Sequence, residues 1–510
     1  MALDLALHIA RSGLLASQKA LAQASHNIAN ADTAGYTRKR LDAAAEEIGG
    51  HPLGIRTGQA LRDVDLALLA ERDARAAAAA AAALRERFLT PIEAVHGRPE
   101  DAQSLPALVG ALRQAFIALR AAPADAGLLD AARSAADRLA ARFRETAGAI
   151  QEARRQAQAE IVQEVAQIND LLRGVAETTR AIRAERAAGR SAADLEDDRD
   201  RLLARLSESL PLRPLRQADG GIVLLARHGL VLPLPDGAED VLSTAPAETG
   251  PTAYHGPGGS LPGVMLGPID ITRQIAGGRL GELIGLRDAT LPRMLAELDV
   301  AAVELAGRME AVGLRLFTDG SGAVPDRSLS YLAGGHAGFS LVIQIDPAAP
   351  ADARWLRDGT HATAGGPGLP IPFTPNPPGG PAGFVTLIDR VLDHALGEEA
   401  APGQPWAPFP TSGLGPDGSL VSSIAGARSI EEFATQAVRL QAEARAEATL
   451  QRESAARLRD GLEGRIRAQS GVDPDAEMTL LLRLQNAYAA NARVMSTAQA
   501  MWDALLAAVR

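Results

Sequence analysis

Residues 3–36 read LDLALHIARSGLLASQKALAQASHNIANADTAGY, and the spacing within this stretch decides the architecture. Leu7, Leu14, Leu21 and Ile28 recur every seven residues, with Leu3, Ala10, Ser17 and Ala24 in the complementary column. Apolar and small residues at a period of 3.5 describe a helix with an a/d seam. A seam needs a partner, and the far end of the chain supplies a matching one. Leu481, Tyr488, Met495, Trp502 and Val509 share the same spacing, with Leu484, Asn491, Ala498 and Leu505 in the second column. The economical inference is that the two ends pack on each other or on neighbouring subunits.

Working outward, glycine and proline divide the rest. They occupy 10 of 150 positions in 61–210, 21 of 69 in 211–279, 32 of 102 in 317–418 and 5 of 92 in 419–510. Helical tracts therefore flank a middle built of strands and turns. Ala76–Ala83 is an unbroken alanine run, strong in helix propensity but with little to bury. Ile222–Leu225 and Leu230–Leu232 read as strands, and Phe339–Ile345 as the clearest strand of the later region. The expected fold is α+β and multidomain: terminal helices paired in a coiled-coil-like core, a long helical-bundle domain, and β-rich outer domains. The boundaries read as 1–60 with 465–510 for the terminal helical core, 61–210 with 280–316 and 419–464 for the helical bundle, 211–279 for a β-rich segment and 317–418 for a β/turn-rich outer domain.

Composition excludes several functions. The 510 residues carry a net charge of −10 and no run of like charge, which argues against a nucleic-acid footprint. Only Lys19 and Lys39 are lysines. There is no cysteine, so disulfides, thiolate catalysis and cysteine-ligated metals are excluded. No apolar run approaches membrane-spanning length, and Asp4, His8 and Arg11 interrupt any signal-peptide core. No Walker A, H-E-x-x-H or G-x-S-x-G motif is present. No catalytic, cofactor or metal residue is therefore expected. Asp194, Asp197, Asp198 and Asp200 form the densest carboxylate group. They read better as acids near a helix start, interleaved with Arg199 and Arg201, than as a hard-cation site. Asp319-Gly-Ser-Gly reads as a turn.

The strongest local signal is Ser25–Arg38. Asn27 and Asn30 stand at the end of the seam helix, and Thr33-Ala34-Gly35-Tyr36 suits a turn with glycine at positive φ. As a pattern, Asn27-Ile28-Ala29-Asn30 followed by Thr33, Gly35 and Tyr36 resembles the N-terminal signature of the bacterial flagellar rod, hook and hook-associated axial proteins. Ala34 stands where that signature has proline, and His26 where it often has asparagine. Gly471–Met478 resembles the family's Gly-Val-x-x-Asp-Glu-Glu-Met. Leu484-Gln485-Asn486-Ala487-Tyr488-Ala489-Ala490-Asn491-Ala492-Arg493-Val494 resembles its Tyr-Gln-x-Ala-Tyr-x-Ala-Asn-Ala-Arg-Val. Asp194–Leu203 and Gly277–Ile284 resemble segments of the hook-associated protein 1 branch, the hook–filament junction type.

The resemblance implies a structural role in the flagellum, outside the cell, after export through the flagellar type III apparatus without a cleaved signal. It implies as partners further copies of the chain, the hook protein and the next hook-associated protein, with an export chaperone, and neither nucleic acid nor membrane insertion. Within it, the residues expected to carry assembly are Leu7, Leu14, Leu21, Asn27, Ile28, Asn30, Gly35 and Tyr36 near the start. Near the end they are Leu481, Gln485, Tyr488, Asn491, Met495 and Trp502. Asn491, polar at a seam position, is expected to set register.

Overall fold

The computed structural model describes residues 2–48, 51–98, 101–366 and 368–508, so Val509 of the second seam lies outside the described residues. Helix α1 (Ala2–Ala29) runs the length of the first seam. The Asn30 N–H closes it on the carbonyls of His26 and Asn27, each at 3.2 Å. The chain then turns and enters an antiparallel hairpin, β1 (Lys39–Ile48) and β2 (His51–Arg62), registered from Lys39 opposite Arg62. The expected terminal helical core, 1–60 with 465–510, thus contains a hairpin that the sequence reading did not foresee. Ala43-Ala44-Ala45-Glu46-Glu47 has poor strand propensity, so nothing local announces the hairpin. Contacts with α1 hold it: Ile55 N–H donates to Ser12 Oγ at 3.1 Å, and Lys19 Nζ donates to Thr57 Oγ1 at 3.1 Å.

Four helices follow: α2 (Leu66–His96), α3 (Leu105–Ala121), α4 (Ala126–Ala187) and α5 (Ala193–Ser209). Asp65, Ser104 and Asp125 cap the first three by accepting backbone N–H bonds. With 62 residues, α4 is the spine of the molecule, and spans roughly 90 Å. Its buried stripe includes Leu139, Phe143, Ile150, Ile161, Ile168 and Leu172. Gly174 marks where α5 crosses it, since a Cβ there would come within 3.2 Å of Leu202.

Small antiparallel sheets lie against this spine. One joins β3 (Leu212–Arg216), β4 (Ile222–Ala226) and β5 (Val231–Leu232). A second joins β6 (Leu242–Ser243), β7 (Met265–Leu266) and β8 (Ile269–Asp270). Polar groups on α4 position the second region. Asn169 accepts from Val241 and Leu242 N–H and donates to the Leu242 carbonyl. Arg154, buried, donates to the carbonyls of Gly250, Ala253 and Arg287. Helix α6 (Gly278–Gly285) then leads through one π-helical turn into α7 (Leu291–Ala311).

The stretch after α7 is mostly turns. It contains β9 (Phe317–Thr318), α8 (Phe339–Val342), β10 (Gln344–Ile345), α9 (Trp355–Asp358), α10 (Thr386–Arg390), β11 (Glu399–Ala401) and β12 (Gln404–Pro405). The strands pair β9 with β10 and β11 with β12. Phe317, Phe339, Leu356 and Leu387 from this stretch join one apolar core with Leu112, Phe143 and Leu305 of the helices. The chain returns through α11 (Ile430–Ser470), antiparallel to α2, with Arg452 on Glu86 at 2.8 Å and Arg445 on Glu93 at 3.1 Å. Ala448 and Ala455 are buried on α11 while α2 buries Ala77, Ala79 and Ala82, so small side chains let these axes approach. Helix α12 (Pro474–Ala508) ends the described chain.

One expected strand is not formed. Of Phe339–Ile345 only Gln344–Ile345 is extended, and Phe339–Val342 is helical. The cause is Asp299 on α7, which is fully buried. Its carboxylate accepts from Gly338 N–H at 2.8 Å, Ser340 N–H at 2.9 Å, Ser340 Oγ at 2.5 Å and Tyr331 Oη at 2.7 Å. An acceptor fixed at the start of the turn captures the N–H groups that a strand would have paired.

Removing that acceptor strands two backbone N–H groups and two hydroxyls. Asp299→Ala is expected to cost about 2–4 kcal/mol, read as a lower urea midpoint. A second test concerns His96, buried at the end of α2. Burial, helped by the nearby Arg142 charge, pushes its pKa down to about 4. Its folded-state pKa lies below the unfolded value. Its stabilising contribution is therefore complete above about pH 6.5 and is lost as pH falls toward 4, by roughly 3 kcal/mol in all. His96→Gln is expected to flatten the stability–pH curve across that interval.

Candidate assembly site

The terminal unit is built from α1, the hairpin and α12. Asn27 lies by Glu477 and Gly13 by Asn491, so α1 and α12 run antiparallel. The most buried line on α1 is the small one: Ala10, Gly13, Ser17, Ala24 and Asn27. A Cβ on Gly13 would come within 2.9 Å of Asn491 Nδ2, so a larger residue there would force the Asn491 amide to shift. Leu7, Leu14, Leu21 and Ile28 are half-buried beside this line. On α12, Leu481, Leu484, Tyr488, Asn491 and Met495 face α1 half-buried, and Ala498 is buried. Gln485 faces outward. Trp502 is 41% exposed near the end of the helix. An apolar groove of about 440 Å³ runs between α1, the hairpin and α12, lined by Ala16, Ala20, Leu41, Ile55, Leu480 and Leu484 among others.

The Asn-Ile-Ala-Asn segment closes this unit. Asn27, 1% exposed, makes bonds in three directions. Its Oδ1 accepts from Lys39 N–H at 3.2 Å and from Tyr36 Oη at 2.9 Å, and its Nδ2 donates to the Lys39 carbonyl at 2.9 Å and to Glu477 Oε2 at 3.3 Å. One amide thus pairs with both backbone groups of Lys39, as a neighbouring strand would. Asn30 is spent on the turn, with Nδ2 on the His26 carbonyl and Oδ1 accepting from Thr33 Oγ1. Gly35, at φ +76°, has Arg201 so close that a Cβ would come within 2.7 Å of it. Glu477 accepts from Arg38 Nε at 2.5 Å, while Arg38 N–H bonds the Ser470 carbonyl at 2.8 Å.

The next turn of chain fastens the terminal unit to the helical body. Asp197 on α5 is 2% exposed. It accepts Lys39 Nζ at 2.6 Å, Arg62 Nη1 at 2.9 Å, Thr37 Oγ1 at 2.7 Å and Thr37 N–H at 3.0 Å. Lys39 also reaches Asp194 at 2.8 Å and lies 3.3 Å from the Tyr36 ring centroid. Arg62 extends the network to Glu196 and Asp200, each at 2.8 Å. Burial works against the Arg62 charge, but Asp200, Asp197 and Glu196 more than offset it and hold its pKa above the ordinary value. Burial and the charges of Asp194, Asp197 and Glu477 push the Tyr36 phenol up. The carboxylate cluster of the sequence is therefore a socket for cations of the hairpin. Among the described residues, no group of three histidine, aspartate or glutamate side chains is placed to hold a metal ion.

Of the residues expected to carry assembly, the structure brings Asn27 and Tyr36 into this knot. It sets Asn30 and Gly35 in the turn beside it and arrays the others along α1 and α12. Thr37, Lys39, Arg62 and Asp197 were not singled out as site residues, and Glu477 was read only as part of a motif. The signal for Lys39 was present as one of two lysines in an arginine-rich chain. Its ammonium sits between two carboxylates and a ring face, a space shaped for a compact cation.

Comparison with known proteins bears on this arrangement. Residues 89–316 match the family model of the flagellar hook-associated protein FlgK helical domain. Residues 465–508 match the C-terminal model of the flagellar basal body rod FlgEFG proteins, and residues 7–37 match that of the flagella basal body rod protein. No curated protein matches the chain. Among solved structures, the flagellar hook junction protein FlgK from Burkholderia pseudomallei aligns at 19% identity with a TM-score of 0.41. The alignment covers 49% of this chain and 47% of that one, so the match spans about half the length of each. Along the chain, the two ends thus match models of flagellar rod type, and residues 89–316 between them match the helical domain of the hook-associated FlgK type, each model over less than half of the chain.

Removing the charge of Asp197 leaves buried Lys39 with only the exposed Asp194 at ion-pair distance among the described residues, while Arg62 keeps Glu196 and Asp200. Asp197→Asn is expected to destabilise the union of hairpin and α5 by about 3–5 kcal/mol, read as faster limited proteolysis across residues 63–65. Asp198, half-exposed and paired with Arg201, is the control. Asp198→Asn should change stability by less than about 1 kcal/mol.

Proposed function

We propose that this chain is the structural adapter that joins the flagellar hook to the filament. The observation that carries the reading is the terminal unit. Both chain ends fold into one antiparallel pair, and α12 still presents Leu482, Val494, Met501, Trp502 and Leu505 to solvent. A lone two-helix pair is marginal in water, and neighbours that cover this face would complete it. Each copy would contact the next head to tail, building a ring or helical layer. Hook protein would lie on one side and the next hook-associated protein on the other. The role is assembly without catalysis. Export through the flagellar type III apparatus, with a chaperone and no cleaved signal, would deliver the chain to the outside of the cell. No described helix is long and apolar enough to cross a membrane.

A second reading, another axial protein of rod or hook type, is favoured by the rod-type models that match both ends. Deletion of the gene separates the two. Hooks without filaments, with flagellin shed as monomer, would support the adapter. Absent hooks would favour the rod or hook reading, and normal filaments would overturn both. Within the adapter reading, Trp502→Ala is expected to weaken incorporation about tenfold or more, as truncation of an interface tryptophan does, with thermal unfolding of the body unchanged. Normal incorporation at low expression would remove Trp502 from the interface.

A further inference from the structure

The end of α2, the first turns of α7 and the early part of α11 wall a small cavity of about 90 Å³. It lies where α11 passes from α2 to α3 and α7. Gln441 stands one turn before Arg445, and Glu93, the ion-pair partner of Arg445, stands one turn before His96. Met294 and Leu440 give the cavity apolar sides, while His96, Glu297 and Gln441 bring polar groups to it. His96 is 5% exposed and Gln441 4%. His96 Nδ1 has no hydrogen-bond partner in the protein, and the Gln441 amide has none on its oxygen or its nitrogen. Glu297 is better served, since its Oε1 accepts from Ser422 Oγ at 2.7 Å. Burying a polar atom without a partner is costly, and three such atoms on one enclosed space point to something that bonds them.

The lining narrows what that something is. An apolar guest would leave the amide and the imidazole as they are. An anion would meet the Glu297 carboxylate. A metal cation would meet the charge of Arg293, which acts on Glu297, and that of Arg142, which acts on His96. His96 and Glu297 are also too few to hold a metal ion. A small neutral molecule that both donates and accepts meets every requirement. The amide offers one donor group and one acceptor, and the imidazole nitrogen takes either role according to its tautomer. The volume suits about two or three water molecules. We propose that this cavity is an internal water site, in which a hydrogen-bonded water cluster joins His96 of α2 and Glu297 of α7 to Gln441 of α11. At this level α11 is held through shared water, and not by direct apolar contact alone.

The test is a crystal structure of the full chain at a resolution that shows ordered solvent. The expected result is solvent density inside the cavity, about 2.7–3.2 Å from His96 Nδ1 and from the oxygen and nitrogen of the Gln441 amide. A dry cavity overturns the proposal. So does a Gln441 amide turned onto a protein partner, or an anomalous signal that marks a metal ion. A second measurement stands apart from the crystal. Gln441→Met keeps the length of the side chain and removes both polar atoms. If water satisfies the amide, the variant loses those bonds, and the unfolding equilibrium constant of the helical body rises about fivefold, read as a lower urea midpoint. If the amide is unpaired, the same change relieves a buried polar group and the midpoint rises. A midpoint that rises or does not move overturns the proposal.

Discussion

A buried carboxylate, Asp197, is the centre of the joint between the terminal unit and the helical body. Asp197 takes an ammonium, a guanidinium, a hydroxyl and a backbone N–H, and all of these come from the chain that leaves the terminal unit. Burying an unpaired charge costs several kcal/mol, so the fold tolerates Asp197 only with the hairpin in place, and Lys39 only with α5 in place. The two are conditional on each other. That mutual requirement sets where the hairpin lies against the body, and through the hairpin where α1 lies.

A second joint gives the first its leverage. Asn27 holds both backbone groups of Lys39, and Glu477 reaches Asn27 and Arg38 from a helix 450 residues further along the chain. The residue that enters the Asp197 socket, Lys39, is therefore held through its backbone by Asn27, the same side chain that bonds Glu477 of α12. Outside these joints α12 leaves Leu482, Val494, Met501, Trp502 and Leu505 exposed.

Tight contacts on both sides depend on small residues. Gly13 admits Asn491, Gly35 admits Arg201 and Gly174 admits Leu202. The alanines of α2 and α11 let two long helices approach without large side chains between them. The arrangement relies on close backbones and directed polar bonds more than on bulk apolar burial, except in the body, where Phe143, Leu305, Phe317 and Leu387 share one core.

Periodicity along the chain was enough to determine the terminal seams, the long helices and the change to turns where glycine and proline concentrate. These are local properties, because an amphipathic repeat specifies its own helix and the face that must be covered. The turn at Gly35 was legible for the same reason, and the flagellar resemblance rested on residues at the two ends. The hairpin at 39–62 was not legible, since its alanines and glutamates have no strand preference of their own and Asn27 and α1 impose the pairing. Nor was the helical turn at Phe339, whose apolar alternation yields to a carboxylate some forty positions earlier in the chain. The Asp194–Asp200 cluster was visible as charge but silent about its partners. Tertiary structure alone decided those points, because a buried charge is satisfied by whatever opposite charge the fold brings within reach, and that distance is not written in the spacing of residues.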